Sequence, residues 1–378
     1  MKIGILITSI GNFGKTGFYN AQEIGLAKEL ALQIEEVAIY KLVPLDNKKQ
    51  TEKIKGYSNI IVHLIPARSS GINGMVDTRE LDNSLNAIIH FSDTQYSVPK
   101  VYHWCVRNNI HYIPYIGVVE SNSPSKVKQV ITNFIFIRNV KVYRKCVCCA
   151  KTPAVQNRLT TLGVKNTILA PVGLDSSLLK NDYEKYSVNE LKHKYGYQDT
   201  DKILLFIGRL IDEKQPLRMI EIFSEIVKDD KSYKLLMIGT GRLKDAVIKK
   251  ISNFKLNENV YLLGKVPNKS IWELYRIADS YINLNQHEIF GMAMLEAMYY
   301  GCKVIAWKAP GPDLVIENGI SGWIVHSNQQ IIEKIKDNSM VGKAAHNRVS
   351  NGFMWKNTAI KFYSVIFNYG KVFVRETV

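Results

Sequence analysis

Two cations in the second half of the chain are placed to bind a diphosphate. A strand pattern ends at Gly208 and a helix starts shortly after it, with Arg209 and Lys214 between the two. Cations at the carboxyl end of a strand can neutralise phosphate groups, and an arginine can donate two hydrogen bonds to one phosphate. A surface ion-pair cluster with Asp212 and Glu213 would show the same pattern, so both interpretations stay open at this point.

Two carboxylates eight residues apart, Glu288 and Glu296, follow further along the chain. If Glu288 lies in a loop, Gly291 allows close backbone approach, the helix begins near Met292, and the free amides from Phe290 onward form an anion site. Glu296 then lies on an otherwise apolar helix, where its carboxylate needs donors such as ribose hydroxyl groups. An ordinary amphipathic helix with one solvated glutamate is the alternative.

Glycine turns follow two further predicted strands. Gly239 and Gly241 form one of them, and Gly11 and Gly14 form the other, between the first strand and the first helix. Glycines there let the backbone approach a ligand, and helix-start amides suit an anion. The first loop is not a P-loop, because Ser9 replaces the leading glycine, and its glycines do not have the G-x-G-x-x-G spacing. A tight turn without a ligand is the alternative.

Short β-rich runs alternate with longer helical patterns, which predicts an α/β fold. Apolar runs of about four to eight residues without alternation are typical of parallel strands covered on both faces. In the first half, the predicted strands are 2–8, 37–40, 59–64, 87–91, 112–118, 140–148 and 167–170. In the second half, they are 202–207, 234–238, 259–263, 280–284 and 303–306. Helical patterns between them indicate two Rossmann-like halves built from βαβ units.

The polar residues 176–201 separate these halves. We therefore predict an N-terminal domain over 1–178, a C-terminal domain over 196–345 and a helical segment over 346–378. Ligands of such sheets bind at the carboxyl ends of the strands, which would face each other across a cleft.

The composition excludes several classes of protein. With 46% hydrophobic and 22% charged residues, the chain of 378 residues is not disordered or fibrous. Its five cysteines do not make a disulfide framework. No apolar run approaches the ~20 residues of a membrane span, and the start lacks the apolar stretch of a signal peptide. We therefore expect a cytoplasmic protein.

Positive charge is concentrated between Glu120 and Asp175, where no acidic residue occurs, although the net charge of the whole chain is already +16. The basic residues of this stretch are Lys126, Lys128, Arg138, Lys141, Arg144, Lys145, Lys151, Arg158 and Lys165. The first six, mixed with Phe134 and Phe136, are typical of a face that rests on the anionic inner surface of the cell membrane. A solvated basic face is the alternative. Nucleic acid is not expected, because no recognition motif accompanies the charge.

Taken in order, the motifs of the second half resemble retaining glycosyltransferases of the GT-B fold, specifically glycosyltransferase family 4. The resemblance rests on Gly208-Arg209 with Glu213-Lys214, Gly239-Thr240-Gly241, Ala278-Asp279, Glu288 through Met298, Gly301 through Val304, and Glu317 through Gly322. Pro171 through Asp175 is similar to the family's P-N-G-V-D, with Val172 in place of asparagine. Pro310-Gly311 replaces a Gly-Gly pair, so the donor loop is altered. The first half matches only in its glycine loop and general strand plan.

The resemblance implies two Rossmann-like domains facing a cleft, with a C-terminal helix that crosses back to the first domain. It implies that Arg209 and Lys214 bind the diphosphate of a nucleotide sugar and that Glu296 holds the ribose. Glu288 and the backbone of residues 290–292 would meet the donor sugar.

In the first half, the resemblance implies that Gly11 and Gly14 line the cleft. Many relatives carry a histidine where this chain has Glu120, whose carboxylate could accept hydrogen bonds from the sugar or the acceptor. His90, which follows another strand pattern, is a substitute candidate; a hydrogen-bonded core histidine is the alternative.

The expected activity is transfer of a hexose from a nucleotide sugar, with a UDP-sugar favoured, to a glycan or lipid-linked acceptor in cell-surface polysaccharide or glycolipid synthesis. Arg209, Lys214 and helix-start amides would stabilise the leaving diphosphate without a metal or another cofactor. The D-x-D string Asp199-Thr200-Asp201 lies before a strand and is not expected to bind metal. The resemblance implies retention of the anomeric configuration. A nucleotide-sugar epimerase or hydrolase, and a non-catalytic subunit of a glycosylation complex, are the alternatives.

Overall fold

The structure of the protein, a computed structural model, describes residues 1–10, 21–120 and 125–373. The chain forms two compact units. Unit 1 contains residues 1–173 and the segment that begins at Trp355, and unit 2 contains Leu174–Met354.

The predicted domain boundaries need correction, because residues 174–195 and 346–354 belong to unit 2. The two ends of unit 2 pair with each other, since the backbone N–H of Leu174 donates to the carbonyl of Phe353 at 2.8 Å. The segment predicted as a linker is therefore part of the second domain.

Unit 1 is built on a sheet that has eight strands among the described residues. Its elements are β1 (Lys2–Ile7), α1 (Gln22–Leu30), β2 (Glu36–Pro44), β3 (Gln50–Ile54), β4 (Tyr57–Ala67), β5 (Ser69–Ser70), β6 (Asn73–Gly74), β7 (Ala87–Phe91), α2 (Val98–Arg107), β8 (His111–Ile116), α3 (Lys126–Tyr143), β9 (Cys148–Ala150), α4 (Pro153–Thr161) and β10 (Thr167–Leu169). The strand order is β10-β9-β8-β7-β1-β2-β4-β3, and the strands are parallel except β3, which pairs antiparallel with β4. β5 and β6 form a separate small pair.

The predicted strand over 140–148 is wrong. These residues contain the last turn of α3, and β9 begins only at Cys148. Ser125 starts the helix, because its side chain accepts a hydrogen bond from the backbone N–H of Lys128. A run of apolar residues cannot by itself distinguish a buried strand from the buried end of a helix.

Unit 2 carries a sheet that is parallel throughout, in the order β13-β12-β11-β14-β15-β16. Its elements are α5 (Val188–Lys194), β11 (Lys202–Ile207), α6 (Pro216–Asp229), β12 (Tyr233–Ile238), α7 (Lys244–Asn253), β13 (Val260–Gly264), α8 (Asn268–Ile277), β14 (Ser280–Asn283), α9 (Met292–Tyr299), β15 (Lys303–Trp307), α10 (Pro310–Val315), β16 (Trp323–Val325), α11 (Asn328–Lys336) and α12 (Gly342–Gly352). Helices connect its successive strands, as parallel pairing requires.

The last helix, α13 (Trp355–Phe373), returns to unit 1 and packs on α1. Trp355 is fully buried there, and Gly25 makes room for it, since a Cβ atom at Gly25 would lie 2.2 Å from the Trp355 indole nitrogen. The Tyr363 hydroxyl donates to the carbonyl of Glu29 at 2.7 Å. The expected C-terminal helix that returns to the first domain is confirmed.

The strand order in each sheet reverses at one strand. In unit 2 the chain proceeds from β11 outward to β12 and β13, and β14 then lies on the opposite side of β11. In unit 1, β1 has the same position between β2 and β7. A crevice opens at the carboxyl ends of the strands at such a switch point, and ligands of parallel sheets bind there.

Among the described residues, no helix combines the length and the apolar character needed to cross a membrane.

Candidate functional site at the strand ends of unit 2

The switch point of unit 2 holds an ion pair between two loops. Lys214, in the loop after β11, donates from Nζ to Oε2 of Glu288, in the loop after β14, at 2.6 Å. The side-chain amides of Asn283 and Asn285 donate to the same oxygen, each at 3.3 Å. Oε1 of Glu288 makes no hydrogen bond to any described residue. The carboxylate is therefore held by three donors through one oxygen, and its other oxygen is available.

Asn285 connects the two loops a second time. Its side chain is 1% exposed, and its amide also donates to Oε1 of Glu213 at 3.2 Å. Asn283 is buried as well, and its Oδ1 accepts from the backbone N–H of Asn285 at 3.0 Å. Neither asparagine is among the residues predicted from the sequence. Their signal was present, because two amides at alternate positions end a buried strand just before Glu288.

The partner of Lys214 excludes an ion pair of this lysine with Asp212 or Glu213, and its binding of a diphosphate stays a prediction. Asp212 pairs with Arg242, and Glu213 bonds to Asn285, so neither neutralises Lys214. Arg209 is exposed, and its guanidinium makes no salt bridge within the described part of the chain. The structure thus brings Lys214 and Glu288 together and leaves Arg209 free on the same loop.

The glycines at Gly239 and Gly241 allow the loops after β11 and β12 to touch. A Cβ atom at Gly239 would lie 1.8 Å from the carbonyl oxygen of Gly208, and one at Gly241 would lie 2.4 Å from that of Leu210. The Leu210 N–H donates to the carbonyl of Thr240 at 3.0 Å in this contact. Close backbone packing explains these glycines, which fix the loop that carries Arg209.

Helix α9 begins directly behind the ion pair. It starts at Met292 after Gly291, and no described side chain caps its first turn, so its first amides keep unused donors. The loop after β15 packs against the same place, because the N–H of Gly311 donates to the carbonyl of Glu288 at 2.8 Å. The altered donor loop at Pro310-Gly311 is the first turn of helix α10, and proline is favoured at helix starts.

Glu296 lies inside unit 2 rather than in the Lys214–Glu288 cluster. It is 5% exposed, and the Tyr275 hydroxyl donates to its Oε2 at 2.9 Å. Burial raises the pKa of Glu296 to about 8, because the charged carboxylate would lose its water. No hydrogen bond joins it to the ion pair among the described residues, and its contact with a ribose stays a prediction.

The candidates of unit 1 have different surroundings. His90 is fully buried, with Nε2 3.1 Å from Oγ1 of Thr8 and Nδ1 2.7 Å from the Tyr112 hydroxyl. Burial lowers the pKa of His90 to about 3, so the ring is neutral, and the core-histidine interpretation is confirmed. Glu120 is exposed and lies 3.5 Å from Arg158, and its role stays a prediction. Gly11 and Gly14 lie outside the described residues.

The aspartates of the D-x-D string make local contacts. Asp199 lies 3.0 Å from Nε2 of His193, and Asp201 accepts from the backbone N–H of Gln198 at 2.8 Å. Within the described ranges, no three His, Cys, Asp or Glu side chains come together in a way that could hold a metal ion.

Comparison with known proteins finds similarity to glycosyltransferases. Residues 187–353, which lie within unit 2, match the family model "Glycosyl transferases group 1". The alpha-monoglucosyldiacylglycerol synthase of Streptococcus pneumoniae is 24% identical over 286 residues, which are 75% of this chain and 59% of that protein. The N-acetyl-alpha-D-glucosaminyl L-malate synthase of Bacillus anthracis is 26% identical over 195 residues, or 49% of this chain and 50% of that protein. The chain thus spans about half the length of the curated relatives it matches.

The fold has solved counterparts. HepE from Anabaena, in complex with UDP and glucose, superposes with a TM-score of 0.71 and 15% identity over 97% of this chain and 100% of that chain. This likeness shows the GT-B fold. Together with the family match in unit 2, it supports a GT-B glycosyltransferase.

Proposed function

We propose that the protein is a retaining glycosyltransferase that moves a hexose from a UDP-sugar to a glycan or lipid-linked acceptor. The observation that carries the proposal is the Lys214–Glu288 pair at the switch point of unit 2, with Arg209, which forms no salt bridge with a described residue, on the same loop as Lys214. It combines cations for a diphosphate with a fixed carboxylate for a sugar, at the place where parallel sheets bind nucleotides.

The two cations would stabilise the leaving group. The ammonium of Lys214 has three N–H donors and uses one on Glu288, so two remain for phosphate oxygens. The guanidinium of Arg209 can bind a second phosphate group through two donors. When the bond between the sugar and the diphosphate breaks, negative charge grows on the diphosphate, and fixed donors aimed at it lower the barrier.

Glu288 would orient the donor sugar. Its Oε2 is held by Lys214, Asn283 and Asn285, which leaves Oε1 to accept a hydrogen bond from a sugar hydroxyl. A carboxylate fixed in this way accepts without having to reorganise, so the sugar is held in one position relative to the diphosphate.

Three finer features belong to the same proposal. The donor base is proposed as uracil, in keeping with the UDP bound to HepE. Retention follows the family 4 resemblance, and no metal is required, because two cations and the first amides of α9 supply the positive charge. The acceptor is proposed only as a class of molecule, because the relatives differ in their products. One is named for a monoglucosyl-diacylglycerol and another for an N-acetylglucosaminyl malate.

A donor panel tests the proposal. Purified protein is mixed with UDP-, GDP-, ADP- and TDP-hexoses, with and without EDTA, and thermal stability and release of the nucleoside diphosphate are measured. We expect one UDP-sugar to raise the melting temperature by mass action, and UDP release to increase when an acceptor is added. EDTA should change neither result.

Two outcomes would contradict the proposal. If no nucleotide sugar stabilises the protein, the site does not bind a donor. If UDP release is rapid but independent of every acceptor, and the free sugar accumulates, the protein is a hydrolase. The variant Lys214→Ala should lose stabilisation by the donor, whereas Lys249→Ala, at an exposed lysine on α7, should keep it.

A further inference from the structure

Helix α3 of unit 1 exposes a continuous apolar stripe to solvent. The exposed fractions of the five side chains are 69% for Val127, 69% for Val130, 48% for Ile131, 72% for Phe134 and 47% for Ile137. Spacings of three and four residues place them on one face of the helix. We call this set the α3 stripe. Single exposed apolar residues are common on proteins, but a contiguous set marks an interaction surface.

The stripe is separate from the face by which α3 packs in unit 1. Ile135, Phe136, Val140 and Tyr143 are buried in the core of the unit. The prediction that Phe134 and Phe136 share an exposed face is therefore wrong for Phe136. Phe134 alone extends into solvent, and α3 is apolar on two sides, only one of which has a partner in the described chain.

Four lysines flank the stripe. Lys126 and Lys128 lie on either side of Val127 in the first turn of α3. Lys141 and Lys145 come after Ile137, at the other end of the stripe. All four are exposed and form no ion pair with a described residue. Lys141 lies four residues after Ile137, so it continues the same face.

Two of the six cations expected to contact the membrane have other roles. Arg138 donates from its guanidinium to the carbonyl of Tyr96 at 2.7 Å, and Arg144 donates to the carbonyl of Leu162 at 2.9 Å. These bonds stabilise unit 1 internally. The cationic rim of the stripe therefore consists of the four lysines.

We propose that the α3 stripe docks the protein on an anionic lipid bilayer. The five apolar side chains would enter the boundary between headgroups and acyl chains, and the lysines would contact the headgroup phosphates. No acidic residue occurs between Glu120 and Asp175 to oppose this approach. The docking does not depend on the proposed sugar transfer.

Two other partners fit the stripe less well. In a symmetric dimer of this chain, α3 would face α3, and the lysine rims of the two copies would repel each other. A nucleic acid would contact the lysines through its phosphates but would gain nothing from five apolar side chains in the centre of the surface. Of these three partners, only a bilayer offers both an apolar layer and a negative surface.

Sedimentation with vesicles tests the proposal on the full chain. We expect the protein to bind vesicles of phosphatidylcholine mixed with phosphatidylglycerol, and to bind phosphatidylcholine alone at least about tenfold more weakly, because each basic residue near an anionic surface adds to the attraction. The double variant Val130→Ser, Phe134→Ser should weaken binding to the mixed vesicles by at least about tenfold, since it removes two inserted apolar groups.

Matched controls separate the stripe from general surface properties. Leu32→Ser removes an apolar side chain of unit 1 that is as exposed as Phe134, and it should leave vesicle binding unchanged. Lys128→Glu with Lys141→Glu should abolish the preference for anionic vesicles. Lys53→Glu with Lys55→Glu, exposed at the β3–β4 hairpin, changes the net charge equally and should reduce binding far less.

Three results would overturn the proposal. The protein does not sediment with anionic vesicles, the stripe variant binds as well as the original, or the lysine variants and their controls behave alike. Sedimentation velocity without lipid measures whether the protein forms a dimer. If it does, and the variant Val130→Ser, Phe134→Ser is a monomer, the stripe binds a second copy of the chain instead of a bilayer. Transfer to a soluble acceptor is measured separately, so a failure of docking and a failure of the proposed activity are distinguishable.

Discussion

At the switch point of unit 1, between β1 and β7, Thr8 and His90 share a fully buried hydrogen bond of 3.1 Å. At the switch point of unit 2, between β11 and β14, Lys214 and Glu288 form an ion pair whose side chains are 22% and 15% exposed. The two sheets have the same parallel topology around β1 and β11, yet the Thr8–His90 pair consists of neutral groups that satisfy each other. The Lys214–Glu288 pair consists of charges that solvent, or a ligand, can reach.

This difference shows that sheet topology predicts where a binding site would lie, but not whether the residues there can bind a ligand. His90 has partners on both ring nitrogens and is neutral because burial lowers its pKa to about 3. Lys214 and Arg209 keep donors without partners among the described residues. Unused donors on fixed side chains indicate a binding site, whereas buried groups that satisfy each other indicate a stable core.

The largest expected effect comes from breaking the ion pair of unit 2. Lys214→Ala and Glu288→Gln should each lower kcat/KM for the donor by about 10²–10³, because each removes a charged contact made in the transition state. Steady-state release of UDP measures the effect. The exposed helix residues Lys249 and Glu225 provide controls, and Lys249→Ala and Glu225→Gln should keep full activity. Retention of full activity by both site variants would remove the site assignment.

The next effect concerns the glycine turn that supports this crevice. Gly239→Ala should lower the free energy of unfolding by about 3 kcal/mol, because its Cβ atom would lie 1.8 Å from the Gly208 carbonyl oxygen at a φ of +141°. Gly196→Ala is the matched control, since Gly196 also has a positive φ but nothing lies within 4 Å of its Cβ position. Gly196→Ala should lower the free energy of unfolding by about 1 kcal/mol, which is the strain of a positive φ alone. Equal losses for both in urea unfolding would show that the backbone contact has no special role.

Much of unit 2 could be predicted from the sequence, because its motifs follow strands closely. Arg209, Lys214 and Glu288 were predicted as candidates from their positions beside glycines at strand ends, and the strands themselves came from short apolar runs. Asn283 and Asn285 were missed. Two amides beside the end of β14 are a local signal, but the contact of Asn285 with Glu213 joins loops 72 residues apart in sequence that meet because β14 pairs with β11.

Unit 1 was harder to predict for a different physical reason. Val140, Val142 and Val147 favour a strand over residues 140–148, but residues 140–143 form the end of a long helix that packs in the core of unit 1, so local propensity gave the wrong element. The exposed stripe on the same helix was not visible as a stripe until the helix was known. The α/β fold class was predicted from strand and helix patterns that alternate over the whole chain, so one wrongly assigned element did not change it.

A smaller effect is expected at the switch point of unit 1. His90→Phe should lower the free energy of unfolding by about 2 kcal/mol, because the buried Tyr112 hydroxyl loses its hydrogen-bond partner. His90→Gln, which keeps a polar end, should cost less. UDP affinity should not change in either variant. If His90→Phe weakens UDP binding without loss of stability, His90 would belong to the site, and the contrast between the two crevices would fail.

A dependence of stability on pH is expected at Glu296. Its folded pKa of about 8 lies above the ordinary value of 4.5, so the protonated form stabilises the fold below about pH 4.5. That contribution is lost as pH rises through about 8, by at most about 1.4 kcal/mol per pH unit. Glu296→Gln has no titrating group there, and its stability should fall less over this range. Unfolding curves of the two proteins that stay parallel from about pH 5 to about pH 9 would contradict a raised pKa.

The most direct test of the account is calorimetric titration of UDP into the protein and into the variants Lys214→Ala and Lys249→Ala. We predict that the original protein and Lys249→Ala bind UDP with the same dissociation constant, and that Lys214→Ala binds it about 10 to 100 times more weakly through loss of a charge-assisted hydrogen bond. Equal affinity of all three proteins for UDP, or no binding by any of them, would contradict the claim that the switch point of unit 2 holds the diphosphate.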